Sequence, residues 1–169
     1  ETDAGFVGEN AALDAALGGF EIRDVLRYLK SALSPLSLDA CDRLESYAVL
    51  WNITGKKWLE VWKMHPEGLQ DDWTQDDILN LDTLNELRTG SLEPLHRLSF
   101  AFHNAKTVGE QIRAVYCFFE EIQLQNRLEI LANELDAAGD NRNAQIMSQL
   151  WDILLSALEQ MDAVLGQTY

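Results

Sequence analysis

Two short stretches hold the residue types from which a site could be built. The first, GKKWLEVWKMH at residues 55–65, interleaves Lys56, Lys57, Lys63 and His65 with Trp58 and Trp62. Lysines neutralise phosphates while ring faces accept stacked bases, so the pattern suits contact with a nucleic-acid strand. The two tryptophans are also four residues apart, the spacing of neighbours on one packed helical face. The second stretch, QDDWTQDD at residues 70–77, groups Asp71, Asp72, Asp76 and Asp77. Carboxylate oxygens of this kind hold Mg2+ or Ca2+. A calcium loop, however, needs a central glycine and a terminal glutamate that this order lacks. Aspartates beside a helix start are accounted for by capping and the macrodipole.

The three histidines are His65, His96 and His103. His96 and His103 share a helix face, but no carboxylate or cysteine three or four residues after either completes a metal set. The phosphate-cradling GxxxxGK[ST] pattern, the GxSxG elbow and GxGxxG are absent. No residue is therefore assigned a catalytic, cofactor-binding or metal-binding role, and the chain alone is expected not to be an enzyme. Its 28 acidic against 13 basic residues give a formal charge of −15. Such a field repels bare nucleic acid and anionic membrane unless bases are locally concentrated. No apolar run approaches the roughly 20 residues that span a bilayer, and no signal-peptide pattern opens the chain. Cys41 and Cys117 both fall in apolar helical patterns, which predicts two buried free thiols suited to a reducing cytoplasm. The chain opens at ETDAGF without methionine and closes at LGQTY, and reads as a piece of a longer polypeptide.

The elements that must position these residues are helical. Leu, Ala, Glu and Gln are abundant, and no segment alternates at period two. A short helix is expected over 10–17 with Asn10 as its cap, and a second over 22–33 stopped by Pro35. Ser37 should cap a third helix, with Leu38, Cys41, Leu44, Tyr47, Ala48 and Trp51 inward, ended by Asn52 in the left-handed conformation. Residues 63–77 read as a surface loop with a helix starting near Asp76. Apolar positions then recur from Ile78 to Ala105; one long helix kinked at Pro94 is favoured over two helices. Thr107 and Glu110 form a capping box for a helix to about 122. A loop at 123–125 leads to a helix ending before Gly139. Asn141 or Asn143 caps the last helix, with Ile146, Leu150, Ile153, Leu154, Leu158, Met161 and Leu165 inside. The fold expected is all-α, an irregular bundle of about six to eight helices.

The segment VLRYLKSALSPLSLDACDRLESYAVLWNITGKKW, residues 25–58, resembles part of the AddB/RexB family, the B subunits of bacterial ATP-dependent helicase/deoxyribonucleases. The matching residues are Arg27, Tyr28, Leu29, Lys30, Leu33, Leu36, Ser37, Asp42, Leu44, Glu45, Tyr47, Gly55 and Trp58. Ser46, Asn52 and Thr54 depart from the family pattern, and Thr54 removes a charge that a phosphate contact would use. The likeness continues more weakly beyond this block, while residues 1–19 show no match.

Residues 1–20 are expected to form a poorly matched N-terminal segment with a short helix, and the resemblance implies that 20–169 form a helical subdomain, a 2B-like insertion in a superfamily 1 helicase-like region. It implies a non-catalytic part of a machine that resects double-strand breaks for recombinational DNA repair. ATP, Mg2+ and an iron–sulfur cluster would belong to other parts of that machine. Its partners would be an A-type helicase-nuclease subunit and double-stranded DNA ends, in the bacterial cytoplasm. Asn52, Gly55 and Trp58 would then form a structural corner, with Lys56, Lys57 and Lys63 as rim residues that could touch DNA or the partner subunit. Two other readings compete: a stand-alone helical adaptor for protein partners, and a metal-dependent helical enzyme using Asp71, Asp72, Asp76 and Asp77.

Overall fold

Helix ends in this chain are set by local hydrogen bonds, and they fix most of the architecture. The computed structural model describes residues 4–31 and 33–168, so the first three residues of the N-terminal segment lie outside the described residues. Among the described residues there are seven α-helices and no strand, so the chain is all-α. They are α1 (Ala4–Leu17), α2 (Ile22–Leu29), α3 (Leu38–Leu50), α4 (Gln75–Asn104), α5 (Val108–Glu121), α6 (Leu124–Ala137) and α7 (Asn141–Leu165). A 3-10 turn, Gly55–Trp58, lies between α3 and α4.

Three helices end alike. Gly19, Asn52 and Gly139 take φ of 82°, 47° and 83°. The next N–H in each case reaches back past the helix end: Phe20 to the Ala15 carbonyl, Ile53 to Ala48 and Asp140 to Leu135. These bonds satisfy carbonyls that a helix end leaves open. At the starts, the Ser37 hydroxyl accepts from the Ala40 N–H and the Thr107 hydroxyl from the Glu110 N–H.

The chain divides inside α4 into two compact units, Phe6–His96 and a second that comprises the residues before Phe6 and those from Arg97 onward. In the N-terminal unit Val25, Tyr28 and Leu29 of α2 are buried, as are Cys41, Leu44, Tyr47 and Ala48 of α3. Leu84, Leu92 and Leu95 of α4 are buried as well. In the C-terminal unit α5, α6 and α7 pack on one another. Their buried residues include Phe118, Phe119, Leu124, Leu128, Ala144 and Met147. The first N–H groups of α5 are closed from outside the helix: Val108 donates to the Thr168 carbonyl and Gly109 to Gly166.

Several expectations are corrected. α1 begins at Ala4, so Asn10 lies inside a helix rather than at its start. α2 stops at Leu29 because Ser31 intervenes. The Ser31 hydroxyl donates to the Tyr28 carbonyl and accepts from the Leu33 N–H, offering the backbone an alternative to the next helical turn. Leu38 is 73% exposed at the first turn of α3. The favoured expectation of one long helix holds, since α4 runs unbroken through Pro94. The α5–α6 connection is short, with Gln123 at φ 54° in front of α6. Asp140, not Asn141 or Asn143, caps α7 by accepting from the Asn143 N–H. Cys41 is buried but Cys117 is exposed on α5. On α7, Ile146, Ile153, Met161 and Leu165 are exposed, and the buried residues are Ala144 and Met147.

Candidate interaction surface

The chain between α3 and α4 follows no regular pattern after the 3-10 turn, and side chains take over the bonding of its backbone. Gly55, at φ 59°, opens that turn and donates to the Phe20 carbonyl. Trp58 closes it with no exposed surface. Asn85 of α4 then clamps Trp62 in both directions, accepting from its N–H at 2.8 Å and donating to its carbonyl at 3.0 Å. The Tyr47 hydroxyl does the same for Met64, with both distances 3.0 Å. Trp51 Nε1–H donates to the His65 carbonyl. These bonds account for polar groups that an irregular segment would otherwise leave unmet.

The rings make a layered cluster. Tyr47 stacks on Trp62 at 4.6 Å between centroids and 8° between planes. Trp58 meets Trp62 at 5.6 Å and 54°. The Arg88 guanidinium lies 5.7 Å from the centre of a Trp62 ring. Arg88 is buried, and its Nη1 donates to the Trp58 carbonyl while Nη2 donates to the Thr89 hydroxyl. Both acceptors are neutral. Burial lowers its pKa from the ordinary arginine value, but a guanidinium stays charged in a folded protein.

This placement overturns the base-stacking idea. Trp58 and Trp62 are 0% and 4% exposed, so their ring faces are spent on the core. They are not neighbours on a helix, as their spacing suggested, but the two ends of an irregular bend. His65 is buried too and cannot track a backbone at the surface. Its Nδ1 accepts from the Glu67 N–H, so the ring proton sits on Nε2, 3.5 Å from Asp77 Oδ2. Trp73 packs against the same ring. Lys56, Lys57 and Lys63 lie toward solvent. Lys57 Nζ reaches the Asn52 carbonyl at 3.2 Å. Lys57 and Lys63 flank a groove of about 700 Å3 whose walls include Trp51, Ile53, Val61 and Met64.

In the aspartate stretch, Asp77 serves as a helix cap. Asp77 is buried at the start of α4, where its Oδ2 accepts from the Thr74 N–H at 2.9 Å and from the Thr74 hydroxyl. The Thr74 hydroxyl in turn accepts from the Asp77 N–H, closing a reciprocal cap. The Thr74 hydroxyl and then its N–H hold the Asp77 carboxyl below the usual carboxylate range, with a smaller contribution from His65. Asp71, Asp72 and Asp76 are exposed. Among the described residues no three His, Cys, Asp or Glu side chains converge as metal ligands. Iron–sulfur clusters are most often held by four thiolates. The sequence has two, and the Cys41 thiol is turned onto the Leu29 carbonyl. His96 and His103 are exposed on α4, with His103 Nδ1 2.7 Å from the Ser99 carbonyl.

Arg88 was not anticipated, although the sequence carries a signal for it. In the run Leu84, Arg88, Ser91, Leu92, Leu95, the helical repeat places Arg88 and Ser91 at inward positions. Both are buried.

No family model matches the chain. Curated relatives do. Proteins named as the B subunit of an ATP-dependent helicase/deoxyribonuclease are 33% identical over 155 residues in a Thermoanaerobacter species and 29% over 168 residues in Bacillus pumilus. These alignments take in 89% and 92% of the chain. The relative from Anoxybacillus flavithermus is 33% identical over 131 residues, 75% of the chain. The chain belongs to this B-subunit family. It spans only 13% and 14% of the length of the first two relatives. Within that family segment, no helix among the described residues is long and apolar enough to cross a membrane.

Proposed function

We propose that this AddB-type segment is a non-catalytic helical subdomain of the larger helicase/deoxyribonuclease component. In this reading it stiffens a motor-like region, of the 2B-like kind the family resemblance implies, and offers a contact surface to the rest of the assembly. The assembly would pair it with an A-type subunit on double-stranded DNA ends, for end resection and recombinational repair in the bacterial cytoplasm. ATP, Mg2+ and the iron–sulfur cluster are taken to act in other parts of the complex.

The observation that carries the reading is similarity along 89% of the chain to proteins of that name. The geometry is in keeping with a support role. The tryptophan corner is spent on packing and the buried aspartate on a helix cap.

The test is Trp58→Ala in the full-length AddB-type protein with its partner. A supporting role predicts less folded holoenzyme, with unchanged ATPase and nuclease rates per folded molecule. Full folding with a large loss of rate per molecule would contradict it.

A further inference from the structure

The groove beside the tryptophan corner differs in charge from the chain around it. Elsewhere in the N-terminal unit, Arg27 is paired with Asp14 and Asp24, Lys30 with Asp42 and Glu45, and Arg43 donates to Asn80. At the groove, Lys57 and Lys63 face solvent, and the buried Arg88 cation lies against the Trp62 ring that forms part of the floor. Arg88 donates to a carbonyl and a hydroxyl, neither of which cancels its charge. Glu60 is the one acidic side chain among the described residues that line the groove. Positive charge therefore reaches the groove from its rim and from beneath its floor, across low-dielectric material where it is poorly screened.

The walls are apolar. Val61 is 64% exposed and Met64 49%. A void of about 700 Å3 has room for a large side chain.

We infer that this groove docks a protein segment in which a large apolar side chain is flanked by carboxylates. The side chain enters between Val61 and Met64, and the carboxylates meet Lys57 and Lys63. The inference deepens the contact-surface part of the proposed function, on which it rests, and names the chemistry of the partner. Protein is favoured over nucleic acid because Trp58 and Trp62 have no free ring face to stack on a base. In a chain of charge −15, local attraction for an acidic segment also selects where that segment can land.

The test is fluorescence anisotropy on the chain with three labelled probes: a peptide with phenylalanine between glutamates, the same peptide with lysines for glutamates, and an oligothymidylate. The glutamate peptide should bind saturably, and the other two should not. Lys57→Glu with Lys63→Glu should weaken its binding by about tenfold or more. Val61→Asp should weaken it as well, with unchanged helical circular dichroism and melting temperature in both variants. The inference is overturned if the glutamate peptide fails to bind, binds no better than the lysine peptide, or ignores the substitutions. It is also overturned if the oligothymidylate binds through the same lysines, which makes this a nucleic-acid surface. A failed titration leaves the support role standing, because that role is read from holoenzyme folding instead.

Discussion

Trp58 fills the corner between α3 and α4 without any exposed surface, while its carbonyl is held by Arg88. Truncating a buried tryptophan leaves a cavity as well as losing apolar burial, so Trp58→Ala should cost about 3–5 kcal/mol in urea unfolding. Lys56→Ala on the same turn lies toward solvent and should stay within about 0.5 kcal/mol of the parent. Asp77 gives a pH signature. Its carboxyl is held below the usual range chiefly by the Thr74 hydroxyl. A depressed folded-state pKa stabilises the protein above the unfolded value of about 3.9, and the benefit fades as pH falls through the folded value. Thr74→Ala should therefore lower stability near neutrality. It should also lose less on acidification than the parent does, in denaturation curves between neutral pH and pH about 3. Thr74 and Asp77 were open to sequence reading as a helix start, because the cap is local. Arg88 is harder to read. Its burial depends on a carbonyl and a ring presented by residues far along the chain.

Helix ends were legible where one residue type dictates the backbone. Ser37, Asn52, Thr107 and Gly139 act within a few residues of themselves. The early stop of α2 was not legible, since Ser31 is an ordinary helix residue until its hydroxyl finds the Tyr28 carbonyl. α7 failed for another reason. It is apolar on several sides, so periodicity cannot say which side its neighbours cover. Ile153 is 59% exposed whereas Leu92 on α4 is 1% exposed. Ile153→Lys should thus change stability by less than about 0.5 kcal/mol, while Leu92→Ala costs about 2–5 kcal/mol, both by chemical denaturation. Gly109 links α5 to the chain end. A Cβ there would stand 2.8 Å from the Gly166 carbonyl oxygen. Gly109→Ala should therefore destabilise, despite the roughly 1 kcal/mol that alanine gains in a free helix. Faster hydrogen exchange at the Val108 and Gly109 positions would report the lost docking.

At the scale of the whole molecule, charge and similarity decide more than any single contact. A net charge of −15 repels itself in the compact state. The melting temperature should rise between very low ionic strength and about 0.15 M salt, where the Debye length falls to about 8 Å. The same charge argues against the isolated chain holding DNA, and the buried tryptophan faces remove the stacking that would compensate. All-helical architecture was legible from composition and period. The division into two units inside α4 was not, because the apolar repeat runs across His96 and Arg97 without a break.

The most direct measurement is turnover by the purified chain in Mg2+, with ATP and with end-labelled duplex DNA as substrates. The account predicts hydrolysis of both at the level of a no-protein control, with wild-type chain and with Asp71→Asn, Asp72→Asn and Asp76→Asn alike. Sustained turnover that those substitutions abolish would contradict it, and would return the aspartate stretch to the centre of the chemistry.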